Sequence, residues 1–364
     1  MSSDRAAFHA INAITLTGFD TIIPISSFRP AGIWCIAGLN LAGALLMLVG
    51  TGWAVSRIFN LRIPDRRILL FSLAFILLAT LLGSLLLRVM GYGSGAAAFL
   101  SLSAVSNSGL TLAQAPSAHS SAMQGILLPL MWAGGVGITV LIEIFDRLQK
   151  KRRMSLHARV AIGASAGFYI MGCLGFVLML IANNLDEKYV HRSQELPQVF
   201  AQGSAFAQDT RSAGFELPMQ NLGRPVDWLA MVLMLVGGGT DGTAGGLRMT
   251  TICLLLWGTR KALQGRLSPL LGYALMWTAI YLLTLFVLLL TMLLFVPEAP
   301  ADRLLFLVIS AVGNVGLSHE PVALTGVGLW VLNIGMMAGR ILPLAMLWWM
   351  VSRLHNRTQT AVAI

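Results

Sequence analysis

The chain has 364 residues, of which 56% are hydrophobic and 11% are charged, and its mean hydropathy is +0.77. A soluble domain carries about 25% charged residues, so this composition excludes a water-soluble fold and indicates an integral membrane protein. The net charge of +10 does not indicate nucleic acid as a partner, because basic residues that fix membrane topology account for it.

Seven segments are apolar for about 20 residues or more, the length that a membrane-spanning helix needs. They are 31–56, 68–90, 124–146, 158–183, 225–258, 269–296 and 325–352. The segments 56–67, 146–159, 259–266 and 352–357 are strongly basic. By the positive-inside rule these segments and the C-terminus face the cytoplasm, which predicts a multi-pass membrane protein.

Four shorter, half-apolar stretches lie at 5–15, 95–106, 196–210 and 302–313. As helices they would be roughly half a membrane long. Each is followed by a small, polar, glycine-containing string: "TLTGF", "SNSGL", "RSAGF" and "GNVGL". This order predicts an all-α fold of four pseudo-repeats, each a helix, a re-entrant half-helix, a loop and a helix, around a central pore. The predicted repeats are 1–66, 67–154, 155–266 and 267–364, with seven full spans and four half-helices in total.

Non-helical backbone at membrane depth is tolerated where it is buried in protein or lines a water-filled path. Four such loops around one axis can replace the hydration shell of a cation with rings of carbonyl oxygens. Ordinary extracellular turns are the alternative, and four strings in register argue against it. The predicted ion-binding positions, all through the backbone, are Thr15, Leu16, Thr17, Gly18, Ser106, Asn107, Ser108, Gly109, Arg211, Ser212, Ala213, Gly214, Gly313, Asn314, Val315 and Gly316.

The strings "NAITLTGFDT", "LSAVSNSGLTL", "DTRSAGFEL" and "SAVGNVGLS" resemble the four pore loops of the TrkH/KtrB/HKT potassium-transporter superfamily. "LPLMWAGGVGITVLIEI", "GGGTDGTAGGLRMT" and "GMMAGRILPL" resemble further segments of that family, in its order and spacing. The resemblance implies K⁺ as the transported ion, bound at the filter carbonyls alone. Glycine at all four loop positions, Gly18 included, goes with K⁺ in this family, whereas serine at the first goes with Na⁺.

The resemblance also implies a homodimer, controlled by a cytoplasmic nucleotide-binding subunit of the TrkA/KtrA type, with membrane lipid around it. No cofactor is expected in this chain. Members of the family begin with a helix that precedes the first half-helix, and this chain starts at the half-helix. We therefore keep Na⁺ or mixed K⁺/Na⁺ transport, and a non-transporting fragment or partner-dependent subunit, as alternatives.

The run "GGGTDGTAGG" interrupts the fifth span, and its glycines cost a helix about 1 kcal/mol each relative to alanine. A packing kink is one interpretation; an intramembrane gating loop below the filter fits its polarity better. The predicted gate comprises Gly237, Gly238, Gly239, Thr240, Asp241, Gly242, Thr243, Gly245 and Gly246, together with Arg340 from the last span. Arg340 is predicted as a positive barrier in the ion path, with a buried ion pair to Asp241 as the alternative. Arg248 would anchor the loop.

Charged residues near the strings have structural or electrostatic interpretations. We expect the Arg211 side chain to point away from the cation path, towards Asp209 or Glu216. Asp20, Glu216 and Glu320 would surround the outer mouth and raise the local cation concentration.

Two other classes of protein fit less well. A secondary carrier with broken helices would need inverted repeats, whereas these units all run the same way. A membrane enzyme would need a polar catalytic cluster at one depth, and the sequence shows none.

Overall fold

The computed structural model describes residues 2–112, 115–150, 153–184, 196–211, 215, 222–266 and 268–362. Within these residues the chain forms thirteen α-helices and no extended strand, which confirms the all-α prediction. The helices are α1 Ser3–Ile14, α2 Pro30–Ile58, α3 Asp65–Val89, α4 Ser94–Ser106, α5 Leu128–Val136, α6 Ile138–Lys150, α7 Leu156–Asn184, α8 Leu196–Asp209, α9 Arg224–Leu235, α10 Met249–Leu263, α11 Pro269–Phe295, α12 Ala301–Gly313 and α13 Gly326–Val362.

Five helices of the described residues, α2, α3, α7, α11 and α13, are long and apolar enough to cross a membrane. They carry leucine and other large apolar side chains on their exposed faces, as lipid-facing helices do. They correspond to five of the seven spans predicted from hydropathy.

The predicted span 124–146 is not a straight helix. A π-helical turn, Met123–Leu127, leads into α5, and α6 then departs at an angle of 102°. The break is at Gly137, whose φ of +117° lies far outside the values found in helices. The predicted span 225–258 is likewise two helices, α9 and α10, separated by residues 236–248. The glycine-rich run forms this second interruption, as the sequence predicted.

The half-length helices α1, α4, α8 and α12 have 12 to 14 residues each. Their bounds agree with the four short stretches predicted from the sequence. Each packs against a long helix next to it in the chain: α1 on α2, α4 on α3, α8 on α7 and α12 on both α11 and α13. The order helix, half-helix, loop, helix is therefore present in the units that begin with α3 and α11, and the first unit begins with the half-helix α1. The exact repeat boundaries stay a prediction: those at 154/155 and 266/267 fall between two helices, whereas the one at 66/67 falls within the first turn of α3.

Candidate functional site

The loops that follow α1, α4 and α12 have the same backbone conformation. Two residues before the loop glycine the chain is left-handed, at Leu16 (φ 55°), Asn107 (φ 55°) and Asn314 (φ 49°). The glycines themselves have positive φ, at Gly18 (91°), Gly109 (70°) and Gly316 (84°). Left-handed backbone is uncommon outside glycine, so its recurrence at the same place in three loops identifies them as copies of one structural unit.

The half-helices end in the same wide turn. The residue before each loop glycine donates its backbone N–H to the carbonyl five residues earlier: Thr17 to Asn12 (3.0 Å), Ser108 to Ser103 (3.0 Å) and Val315 to Ser310 (2.9 Å). Beyond this turn the backbone leaves the helix, so the carbonyl oxygens of the loop are not used in helical hydrogen bonds.

Three of the loops meet backbone to backbone. A Cβ atom placed on Gly18 would overlap the carbonyl oxygen of Ser108 in the second loop. One placed on Gly316 would overlap the carbonyl oxygen of Thr17 in the first loop. The fourth, first and second loops therefore lie side by side, in contact that only glycine permits. Ser212, Ala213 and Gly214 of the third predicted loop lie outside the described residues.

A large outer cavity, of about 1320 Å³, lies over these loops and is bordered by Gly18, Gly109 and Gly316. Asp20 and Glu320, two of the three acidic residues predicted at the outer mouth, also line it. The Glu320 carboxylate is 3.1 Å from the Arg303 guanidinium at the surface, which offsets part of its charge. The third predicted acid, Glu216, lies outside the described residues.

The glycine-rich segment 236–248, here called the central loop, is folded back on itself and buried. Its base is closed by backbone bonds from Gly237 to Leu247 (2.8 Å) and from Leu247 to Leu235 (3.0 Å). Every residue from 237 to 250 is buried. Arg248 lies inside the loop and donates to the carbonyls of Gly239 and Ala244, which agrees with its predicted anchoring role.

The central loop packs on the end of α5, where that helix breaks. The N–H of Gly239 donates to Gly135 O (2.8 Å), and the N–H of Thr243 donates to Gly134 O (3.0 Å). The glycines of the two segments let their backbones approach this closely. The bend after Val136, which hydropathy did not predict, thus forms the surface on which the central loop packs.

Arg340 joins the central loop to the first glycine-containing loop. Its Nε donates to Thr15 O (2.5 Å) and its Nη2 to Leu16 O (3.1 Å). Its Nη1 donates to Thr243 O (2.5 Å). Arg340 is 5% exposed, and its guanidinium bridges the two loops; its role as a positive barrier stays a prediction.

Asp241 does not pair with Arg340, so that alternative is wrong. One of its carboxylate oxygens accepts the backbone N–H of Thr139 (2.7 Å) at the start of α6. The other lies 3.8 Å from Nε2 of His157, a buried side chain on α7 that stacks on Phe59. The carboxylate therefore connects the central loop to α6 and α7.

The prediction that Arg211 points towards Asp209 is also wrong. Its guanidinium donates to Ser165 O on α7 (3.3 Å) and contacts Sδ of Met249 (2.9 Å). Phe168 lies under the same group, 5.9 Å from the ring centre. The side chain does turn away from the other loops, as expected, but towards α7 and α10.

Three asparagine side chains at the site were missed by the sequence reasoning. Asn12 holds the first loop through its backbone: its Oδ1 accepts the N–H of Gly18 (2.8 Å) and its Nδ2 donates to Phe19 O (2.9 Å). Asn107 donates to Met131 O (3.0 Å) and to the Thr243 hydroxyl (2.8 Å).

Asn314 makes the matching pair of bonds in the fourth loop, to Met336 O (2.8 Å) and the Thr17 hydroxyl (3.0 Å). The recurrence of asparagine at the second position of two strings was the available signal. The sequence reasoning treated the loops as main-chain chemistry and did not use it.

Half-helices in a membrane-spanning bundle, glycine loops that meet at their ends and a buried loop beneath them define a multi-pass membrane transport protein. The chain belongs to the TrkH family, described as "Cation transport protein", whose model matches residues 68–351. This is a family of transporters and not of enzymes.

Relatives that resemble the chain carry potassium in their names. Ktr system potassium uptake protein B of Vibrio alginolyticus is 26% identical over 95% of this chain and 84% of the relative. The protein of that name from Bacillus subtilis is 24% identical over 93% of this chain and 84% of its own length. Potassium/sodium uptake protein NtpJ of Enterococcus hirae is 26% identical over 72% of this chain and 63% of its own length.

A solved structure has the same fold. It is the potassium transporter TrkH from Vibrio parahaemolyticus, which superimposes with a TM-score of 0.76 over 96% of this chain and 78% of that one, at 18% identity.

Proposed function

We propose that the chain carries K⁺ across the membrane through a selectivity filter built from its four glycine-containing loops. The observation that carries the proposal is the shared backbone of the loops after α1, α4 and α12, which meet at Gly18 and Gly316. Carbonyl oxygens arranged in this way replace the hydration shell of a cation. The names of the relatives support K⁺ as that cation.

The central loop and Arg340 would form the gate. The central loop packs against the second and fourth loops, and Arg340 places a positive charge beside it, bound to the carbonyls of Thr15, Leu16 and Thr243. A buried positive charge raises the free energy of a cation that passes close to it. In this arrangement permeation requires the loop, and the guanidinium with it, to move aside.

The oligomeric state and the partner are part of the same proposal. The chain would work as a homodimer in a bacterial cytoplasmic membrane, surrounded by lipid, with its C-terminus in the cytoplasm. A cytoplasmic nucleotide-binding subunit of the TrkA/KtrA type would control the gate. In support, the apolar part of α13 ends at Arg353 while the helix continues to Val362, and the segments 56–67, 146–159 and 259–266 carry the basic residues of cytoplasmic loops. Light scattering of the purified protein and co-purification with a co-expressed subunit test these two points.

Uptake of ⁸⁶Rb⁺ by a bacterium that lacks its own K⁺ uptake systems tests the transport function. Expression of the chain should restore growth at low external K⁺ and give Rb⁺ uptake, and Gly109→Asp should abolish both. The matched control is Gly91→Asp, because Gly91 also has a positive φ (95°) but has open space around it. Wild-type protein in the membrane without Rb⁺ uptake, with and without a regulatory subunit, would refute transport by this chain.

Na⁺ or mixed transport is the alternative within the family, since NtpJ is named for both ions. Competition decides it: a tenfold excess of external Na⁺ should leave Rb⁺ uptake nearly unchanged if K⁺ is the substrate.

A further inference from the structure

Asp209 is a buried carboxylate that forms no ion pair with a basic side chain of the described residues. It is the last residue of α8, and it is 0% exposed. Neither carboxylate oxygen has a hydrogen-bond partner among the described residues. The backbone N–H of Phe215 lies near the carboxylate, and the Arg211 guanidinium donates to Ser165 O instead.

A negative charge is costly at this position for two independent reasons. Burial removes the water that stabilises an ionised carboxylate, and the described residues make no hydrogen bond of good geometry to replace it. The end of α8 adds the negative pole of the helix dipole, which also opposes a negative charge. The carboxylate must therefore be neutralised, by a proton or by a bound cation.

A carboxylate at this position is not required for a half-helix to end there. Asp209 stands five residues before the glycine of its string, and the corresponding positions of the other three strings are Ala13, Ala104 and Ala311. These alanines are buried like Asp209. The position thus fits a small apolar side chain in three repeats, and the third repeat alone has a carboxylate there.

The side chain borders the same outer cavity that reaches the loop glycines Gly18, Gly109 and Gly316. Threonine and serine residues line this cavity as well, among them Thr21, Thr111 and Ser318. Oxygen ligands of this kind suit alkali and alkaline-earth cations. A single carboxylate balances one positive charge, which favours a monovalent ion over a divalent one.

We propose that Asp209 forms a side-chain cation site in the wall of the outer cavity, which holds one alkali cation next to the third loop. The site is separate from the backbone filter and stands whether or not the chain conducts. If the chain does conduct, the site would keep one ion beside the filter entrance and raise the local concentration of the substrate.

Equilibrium binding of ⁸⁶Rb⁺ to the purified full-length protein in detergent tests the site. Asp209→Asn and Asp209→Ala should each bind one Rb⁺ fewer per chain than the wild type. Asp302→Asn should bind as many as the wild type, because Asp302 is an exposed acid at the outer end of α12. An unchanged number in both Asp209 variants would mean that the carboxylate is protonated or only braces the Phe215 amide, and would overturn the site.

The result also distinguishes this site from the filter. A single Rb⁺ in the wild type that is lost in Asp209→Asn would support the Asp209 site and argue against a binding filter. Several bound Rb⁺ ions, in equal number in the wild type and in Asp209→Asn, would support a binding filter and argue against the Asp209 site. Wild-type protein that binds no Rb⁺ would overturn both.

A second measurement uses the wild type alone, in case the variants do not fold. Dicyclohexylcarbodiimide modifies protonated carboxyl groups in apolar surroundings, and mass spectrometry locates the modified residue. Rb⁺, but not choline, should protect Asp209 from modification. Equal modification in the two salts would contradict the proposal.

Discussion

The hydrogen bond between Asn107 and Thr243 gives a direct test of the gate. It joins the second glycine-containing loop to the central loop over 2.8 Å, and both side chains are buried. Thr243→Val keeps the shape of the side chain and removes the hydroxyl. Asn107 keeps its bond to Met131 O, so the loop that carries it stays supported.

The size of the effect follows from the bond that is lost. A buried hydrogen bond between neutral groups contributes about 1 kcal/mol, and a donor left without a partner costs about 1–3 kcal/mol. The variant should therefore weaken the closed position of the central loop by about 1–2 kcal/mol, which is roughly 5- to 30-fold in the closed-to-open equilibrium. If the closed state dominates, basal Rb⁺ flux should rise by that factor.

The assay is Rb⁺ flux into liposomes that contain the chain without any regulatory subunit. Thr17→Val is the matched control: its hydroxyl accepts the corresponding bond from Asn314 (3.0 Å), and the bond joins two glycine-containing loops without the central loop. Thr17→Val should not raise basal flux. Equal flux in Thr243→Val and wild type, or an equal rise in both variants, would refute the reasoning that Thr243 holds the gate closed.

Three further predictions concern neighbouring residues. Arg340→Gln removes charge-assisted bonds of about 1.5–3 kcal/mol each and should raise basal Rb⁺ flux in the same liposomes at least tenfold, whereas a lower flux would contradict a barrier role. Gly18→Ala should abolish Rb⁺ uptake in cells, since its Cβ overlaps a backbone carbonyl of the next loop; uptake at the wild-type rate would show that the loops do not pack this closely. Asp241→Ala leaves the buried N–H of Thr139 without an acceptor and should destabilise the protein by about 1–3 kcal/mol. Asp65→Asn removes an exposed ion pair and should cost less than about 1 kcal/mol. Thermal unfolding in detergent compares the two variants.

The sequence predicted the half-helices well because their signals are local. A short apolar stretch that ends in small polar residues and glycine marks both its length and its end, and α4 and α12 begin and end within a residue of 95–106 and 302–313. The central loop was predicted for the same reason: six glycines within ten residues cannot form a helix.

The bend between α5 and α6 could not be predicted in this way. The segment 124–146 is apolar throughout its first two thirds, and hydropathy does not distinguish a straight helix from one broken at Gly137. The break is stabilised from outside, because the N–H of Ile138 finds an acceptor in Asp241 O (3.2 Å), about a hundred residues later in the chain. A single sequence contains no signal for a contact between residues so far apart in the chain.

The sequence also failed to predict which groups the buried charged side chains contact. The sequence suggested a carboxylate partner for Arg211 and a positive barrier for Arg340, with an ion pair between Arg340 and Asp241 as the alternative. In the structure Arg340 is bound by backbone carbonyls of two loops, which interrupted helices and helix ends leave free, whereas Arg211 contacts Ser165 O within α7 and Sδ of Met249. The irregular backbone that makes the site possible thus also supplies the ligands for its charges.

The distribution of bonds around the central loop indicates how it would open. The base is closed within its own segment, by Gly237, Leu247 and Leu235. At the tip, the backbone and hydroxyl of Thr243 are bound to other elements: Gly134 of α5, Val105 of α4, Asn107 of the second loop and Arg340 of α13. Releasing the tip breaks a few bonds to neighbours and leaves the base intact, whereas unwinding the base would expose buried backbone groups that have no other partner. If the central loop is the gate, we expect it to open by a swing of the tip about a fixed base, controlled by the residues that hold Thr243.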